Sequence, residues 1–596
     1  MAFLNGFVDY EKFYNKAVAD ELLLKAKEDV FWYEYDKGVL GLNRRPLIYK
    51  EGVAVWVDGN IVDMKDGEEM VSLFKRKGEE SFNDFDGGFV LVLLDAKNAF
   101  LYIVRDRSGI KPFYYFESEN RFVFGSLLRD FYNYPFFNKE LDLESLALFL
   151  QYGYITHPHT IYKNLFKLNA ASYLEIDLKK KSVIEKSYWN ILDFYNDKSD
   201  LEESKIKERS EYLLEKSVEK RYNSSSSPKG SFLSGGYDSA AVSLFLSRMS
   251  FEKIDTYTIG FYENGYDEAP FAKEIAKKIG SRHHEFYFSS EDARAVVESL
   301  PDIYDEPFGD KAALPTVFLA EKARGEIKSL FSGEGGDEVF ATGGDMDLFL
   351  KINRFPLILR KCVSFLMREI PPSFIEKFSF TNFPTRYEKW SNLLKRGDMV
   401  NFIKFKEQVM GAMEIKKLFL RETLPKAPYF KEDEFFRVDE KNFLDMMLGV
   451  YFKVYMSDDE LVKISNPAAF FGMELHEPFL DRELVEFLAS VPVSLKRKNS
   501  VEKYLLKEIV HKYIPKEIMD RPKRGFSVPL DKWLREDLSS YLEIYLKKER
   551  IDRENIFDFK EIERIKKGFC EGKNEYAKRI WLLLMFEMWY EKQYAL

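Results

Sequence analysis

Cysteine is nearly absent from this chain: 596 residues include two, Cys362 and Cys570, far apart and without metal-ligand spacing. A disulfide framework is thereby excluded, and a reducing, cytoplasmic setting is expected. Histidine is almost as scarce. The six include the pairs His157/His159 and His283/His284, and neither has the Cys/His partners that zinc would need. Long hydrophobic runs are missing too. The longest, from Ile580 to Phe586, is too short to span a bilayer and reads as a buried helix. The start, Met1-Ala2-Phe3-Leu4-Asn5-Gly6, is soon followed by acidic residues and does not read as a signal peptide. Positive charge is not in excess. A net charge of −9 gives neither nucleic acid nor an anionic membrane a general attraction, so neither is expected as a partner. Internal repeats are absent, and the one low-complexity stretch is the short serine run 224–227.

What is present suits a soluble chain of at least two domains, with 45% hydrophobic residues to supply a core of any needed size. Residues 1–195 are strand-rich. Gly52 to Gly59, Phe89 to Asp95 and Ala99 to Val104 alternate or run apolar between turn residues, and short strands follow at 113–115 and 122–124. Stacked antiparallel sheets are the expected result. The polar stretch Asn196 to Asp200 is the best linker candidate. From about 205 the pattern changes. Helix 208–222, strand 231–233, strand 254–260, helix 268–279, strand 285–288, a helix over 291–300 stopping at Pro301, and strand 327–331 alternate. That order predicts a doubly wound parallel α/β sheet over about 205–345, with a mostly helical remainder over 346–596.

The most informative stretch is Ser234-Gly235-Gly236-Tyr237-Asp238-Ser239, set between an apolar strand and a helix. A glycine turn at a helix N-terminus traps anions. Backbone N–H groups point into it, the helix dipole adds positive potential, and glycine admits phosphate close to the backbone. Asp238 would repel phosphate unless it holds a bridging divalent cation. The loop lacks a Gly-Lys-Ser/Thr ending, so it is not the ordinary P-loop. A second cluster, Ser332-Gly333-Glu334-Gly335-Gly336-Asp337-Glu338, also follows a strand. Ligands of doubly wound sheets bind beyond the carboxyl ends of the strands, so both clusters could serve one nucleotide. Asp238 and Asp337 would then share Mg²⁺.

Together with Glu477-Pro478-Phe479-Leu480-Asp481 and Arg521-Pro522-Lys523-Arg524-Gly525-Phe526, these motifs resemble the asparagine synthetase family, which also contains β-lactam synthetases and lasso-peptide macrolactam cyclases. The run Arg105 to Tyr115 and the pair Tyr188-Trp189 resemble its glutaminase domain. The resemblance covers nearly the whole chain. It implies an N-terminal Ntn-type αββα sandwich over 1–195 and an ATP-dependent PP-loop synthetase domain over 205–596. In the implied reaction a carboxylate attacks the α-phosphorus of ATP, pyrophosphate leaves, and ammonia or an amine displaces AMP to form an amide. By the same resemblance, Ser234, Gly235, Gly236, Asp238 and Ser239 hold pyrophosphate and metal. Leu233, Ile259 and Gly260 offer backbone to adenosine, and Ser332 and Gly333 lie by the ribose and α-phosphate. Glu334 acts as base or orients the nitrogen, and Lys503 stabilises charge on the α-phosphate. Arg521 and Lys523 tie a loop near the site or are plainly structural, while Phe526 and Trp533 read as packing residues.

The departures carry as much information. Ala2 stands where the family has its nucleophilic cysteine, and the oxyanion motif Asn-Gly-Glu reads Asp58-Gly59-Asn60. Alanine forms no thioester and a carboxylate is a poor oxyanion donor, so glutaminase activity is expected to be lost, leaving a structural or docking domain. Ser465 to Ala469 replace the family's Asp-Arg-x-x-Met run, and His476 replaces an arginine beside the retained Glu474. Lys311 falls where asparagine synthetases bind substrate with arginine. It could hold a carboxylate or form a surface ion pair. The amine donor is thus free ammonia or an amine of the substrate, and the carboxylate is a small molecule or a peptide. Intramolecular closure and a non-catalytic nucleotide-binding protein are the competing readings. A homodimer or a partner protein through the N-terminal domain is also expected.

Overall fold

The computed structural model describes residues 4–11, 30–35, 38–64, 66–263, 265–342, 351–352, 354–369, 383–396, 406–423, 425–426, 443–499, 501–520 and 528–595. Ala2 and the segment carrying Arg521, Lys523 and Phe526 lie outside them. The N-terminal part builds two six-stranded antiparallel sheets. One centres on Asn5–Asp9 between Arg121–Gly125 and Gly38–Leu42. The other centres on Asp86–Asp95 between Val53–Val62 and Phe100–Arg105.

The run Val90-Leu91-Val92-Leu93-Leu94 shows why this strand lacks polar alternation. Side chains alternate across a strand. Val90, Val92 and Leu94 meet Val8, Leu40 and Leu42 of the first sheet, forming the core between sheets. Leu91 and Leu93 point the other way, onto Met70, Leu73 and Phe74 of helix Gly67–Lys77. The outer face of the first sheet packs Phe7, Val39 and Val123 against Leu146 to Leu150 of helix Leu143–Tyr152. Helix, two sheets and helix therefore stack as an αββα sandwich.

The C-terminal part is built on a five-stranded parallel sheet, in the order Arg282–Phe288, Asp255–Phe261, Lys229–Phe232, Ser329–Phe331, Glu474–His476. The chain winds outward from Lys229–Phe232 in one direction and then resumes on its other side. Its switch point therefore lies between Lys229–Phe232 and Ser329–Phe331, where such sheets form a ligand crevice. Two expectations are corrected. The fifth strand comes from the region read as mostly helical, because three residues are too few to show a period. The helix expected to stop at Pro301 runs Ser290–Ile303. Pro301 forgoes a bond to the Val297 carbonyl but sits in the last turn, and the helix still closes beyond it, with the Tyr304 N–H on the Leu300 carbonyl.

Helix Ala577–Trp589 buries Ile580 to Phe586 as expected. Trp581 and Trp589 donate to the carbonyls of Gly309 and Asp305. Asp305 in turn accepts from the Leu128 N–H and pairs with Arg129 of the N-terminal part. Trp533, expected to pack, is fully buried beside Phe261 and Phe288. The polar stretch 196–200 is pinned, since Lys198 pairs with Asp445 and donates to the Ala489 carbonyl. Asp481 accepts from the Glu483 and Leu484 N–H groups as a helix cap and pairs with buried Arg221 at 3.1 Å. Arg221 also faces Asp86 of the other domain at 3.6 Å.

Removing one partner of a buried ion pair strands the other, at a cost of about 3–5 kcal/mol. Arg221→Met is therefore expected to lower unfolding free energy by that order in a guanidinium titration followed by circular dichroism. An Arg221→Met/Asp481→Asn double variant should recover part of it. A change within about 0.5 kcal/mol for the single variant would mean the pair holds nothing.

Candidate functional site

The turn at 234–239 is built by its own serines. The Ser234 N–H donates to Ser239 Oγ at 3.1 Å, the Gly236 N–H donates to Ser234 Oγ at 3.3 Å, and Ser239 Oγ donates to the Gly236 carbonyl at 3.3 Å. Gly235 takes φ +80°, a left-handed conformation that glycine adopts without strain. Helix Tyr237–Met249 begins directly after Gly236, so its first N–H groups face the turn.

The second cluster packs against the first. A Cβ at Gly333 would stand 2.8 Å from the Ser239 backbone nitrogen, and one at Gly336 would stand 2.3 Å from Asp238 Oδ1. Only glycine permits that approach. It sets Asp238 and Asp337 around one cation, with Lys503 Nζ 2.5 Å from Asp238 Oδ2 and 2.7 Å from Asp337 Oδ1. Lys503 is buried and itself left-handed at φ +51°. Burial alone would lower its pKa, but the two carboxylates raise it above the usual lysine range. Two carboxylates that converge on one ammonium also suit a divalent ion completed by phosphate and water. Among the described residues no set of three or more His, Cys, Asp or Glu side chains is arranged to hold a metal by itself.

A cavity of about 440 Å³ opens over these groups. Ser234, Gly235, Gly236, Asp238, Ser239, Ser332, Gly333, Glu334, Asp337 and Lys503 line it. Leu233, Ile259 and Gly260 lie at the same carboxyl end of the sheet but in the packed layer beneath. The Leu233 N–H donates to the Tyr257 carbonyl, and Ile259 is buried. Lys311 is outside the lining, half-buried near Lys578, Asp310 and Asp531, and burial lowers its pKa. Glu474 is outside too. It is in register with Ser329 at the amino end of the sheet, where its carboxylate accepts from Ser226 and Ser329.

The sequence reading missed the cavity's second wall. Lys463 Nζ bonds Glu460 and lies 3.8 Å from Glu334 and 3.9 Å from Asp310. Burial would lower Lys463, but Glu334, Glu460 and Asp310 outweigh it and raise it well above the usual range. Burial raises Glu334 well above the carboxylate range; Lys463 opposes this, while Glu460 and Glu338 add to it. Glu460 is held low by Lys463 and by hydrogen bonds from Lys463 and Tyr455. One signal was available, a lysine alone in the apolar run Leu461 to Ile464.

A separate cavity of about 360 Å³ lies between the domains. Asp58, Lys111, Ser126 and Arg129 line one side, and Ser465, Asn466, Ala469, Phe470 and Met473 line the other. Asp58 is buried and accepts from Ser126 Oγ at 2.6 Å. Gly59 is required at φ +106°, because a Cβ there would stand 2.2 Å from the Gly88 carbonyl.

A family model described as asparagine synthase matches residues 209–591, and one described as a glutamine amidotransferase domain matches 60–189. The chain is 34% identical over 299 residues to a putative glutamine-hydrolyzing asparagine synthetase 2 of Methanocaldococcus jannaschii, a match covering 49% of this chain and 57% of that protein. It is 26% identical over 549 residues to glutamine-hydrolyzing asparagine synthetase 1 of Bacillus subtilis, covering 89% and 82%. It is 23% identical over 487 residues to the glutamine-hydrolyzing asparagine synthetase of Gallus gallus, covering 78% and 67%.

Glu338 supplies a pH test. Burial, then Asp337 and Glu460, raise its pKa to about 8. The folded state therefore binds more protons than the unfolded state between the ordinary glutamate range and pH 8, and stability falls as pH rises through that window. Glu338→Gln is expected to stabilise the protein by about 1–2 kcal/mol at neutral pH and to flatten the decline in thermal unfolding measured from pH 5 to 8. An unchanged slope would refute the assignment.

Proposed function

The chain belongs to the asparagine synthase family, and from that membership we propose that it is an ATP-dependent amide ligase without glutaminase activity of its own. The observation that carries the reading is the convergence of Asp238, Asp337 and Lys503 at the mouth of a glycine-built anion turn. In the proposed reaction a substrate carboxylate oxygen attacks the α-phosphorus of ATP. The bond to pyrophosphate breaks, and an acyl-AMP forms. A nitrogen then attacks the acyl carbon, AMP leaves, and an amide results.

Each residue has a task in that scheme. The turn N–H groups and the hydroxyls of Ser234 and Ser239 bind the leaving pyrophosphate. Mg²⁺ held by Asp238 and Asp337 would supply positive charge to the phosphates. Lys503 is a fixed, buried cation that already matches charge developing on the α-phosphate, so it needs little reorganisation. Glu334 sits on the opposite wall. A carboxylate whose pKa burial raises is the stronger base in its ionised form, and Lys463 at 3.8 Å favours that form. Glu334 would orient the nitrogen and take its proton as the amide forms.

Ala2 and Asp58 support the loss of glutamine hydrolysis, since neither supplies a nucleophile or an oxyanion donor. The nitrogen would be free ammonia or an amine on the substrate. ATP–pyrophosphate exchange across a panel of carboxylates is the direct test. Exchange should require one acid and fall about 10²–10³-fold in Lys503→Ala. Glu334→Gln should keep exchange while amide formation drops about 10²–10⁴-fold. Glutamine should yield no glutamate. Absence of exchange with every acid would leave a nucleotide-binding protein as the reading.

A further inference from the structure

Net charge averaged over the chain hides a basic, apolar surface that lies outside the lining of both cavities. Helix Leu357–Glu369 follows Lys351 and Arg354, and from 351 to 368 the sequence has five Lys or Arg residues and no Asp or Glu. It packs beside helix Phe383–Arg396, which adds four more cations against one carboxylate. This pair of helices is an island of positive charge in a chain of net −9.

The contact between the two helices is polar and close. Ser364 Oγ donates to the Ser391 carbonyl at 2.8 Å. The bulky side chains face the other way. Placed on 3.6 residues per turn, Phe365, Ile358, Cys362, Leu366, Leu359 and Val363 fill an arc of about 160°, into which only Glu369, the last residue of the helix, intrudes. An arc of that width ordinarily faces a core, yet here every member is exposed: Ile358 is 78%, Phe365 62% and Leu366 61% exposed. Lys361 borders one edge of the arc and Arg360 the other.

We propose that this face seats the protein on an anionic bilayer, with the apolar arc at the headgroup–acyl boundary and the flanking cations on lipid phosphates. The charge favours lipid over a second copy of the chain. Two copies meeting at this face would press one basic rim against another, whereas an anionic surface neutralises both edges. Among the described residues no helix is long and apolar enough to cross a membrane, so the attachment is peripheral.

Flotation of the full chain with vesicles of phosphatidylcholine, with or without phosphatidylglycerol, tests this. The protein should float with the phosphatidylglycerol vesicles, less so at high salt. Ile358→Asp/Phe365→Asp should cut binding about tenfold or more, whereas Ile358→Leu/Phe365→Leu should retain it. Lys361→Glu, a purely surface change, should weaken binding even if the aspartate variant proves unstable by circular dichroism. Failure of the wild-type chain to float at low salt would overturn the proposal. So would equal binding by the aspartate and lysine variants when folded, or a dimer in sedimentation that the aspartate variant dissolves without any flotation.

Discussion

Two backbones pressed together at the switch point are the constraint on which the site depends. Gly333 lies on the amide of Ser239 and Gly336 on the carboxylate of Asp238, each closer than any side chain would permit. Because the two turns touch, Asp238 and Asp337 fall within reach of one ammonium. Because that ammonium is Lys503, fixed in a left-handed backbone at a helix start, the charges are arranged before any ligand arrives. Parallel strands aim both turns to the same side, but the missing side chains at 333 and 336 let them meet.

The second wall depends on the other domain. Tyr451–Glu460 is wound as a π-helix, and its end carries Asp458 and Asp459 into the interior and Glu460 to the cavity wall. Burial alone would raise Asp458, but His157 Nδ1 at 2.7 Å holds it below the usual carboxylate range. Lys167 pairs likewise with Glu306 at 2.9 Å. His157 and Lys167 belong to the N-terminal part, so this domain supplies the partners of buried acids, one of which, Asp458, lies on the same helix as Glu460. That is a physical task for the N-terminal part apart from any catalysis of its own.

Much of this was legible in the sequence. Both glycine–acid clusters, the alternation that makes a parallel sheet and the unbroken apolar strands of the sandwich are local patterns of spacing and residue type. The rest depends on geometry that spacing does not record. The acids at 458 to 460 carry no motif that sets them apart from a solvated charge run, and which of them faces the cavity depends on the π turn that holds them. Glu474-Leu475-His476 is too short to show a strand period. Lys311 was singled out by position, yet its neighbour Asp310 lines the cavity, because side chains one apart on a turn face different ways. Glu474 sits in register with Ser329, the end of the sheet away from the loops, and no reading of the motif in one dimension shows which end that is.

The cavity between the domains has a consequence for re-engineering the chain. Asp58 stands on one wall, and Ser465, Asn466 and Ala469 stand on the other. All four positions depart from the pattern of glutamine-using relatives set out for this chain. Residues more than 400 positions apart in sequence thus share a single chamber. Under the proposed loss of glutamine hydrolysis, a cysteine placed at position 2 alone would still face the Asp58 carboxylate and a far wall of Ser465, Asn466 and Ala469.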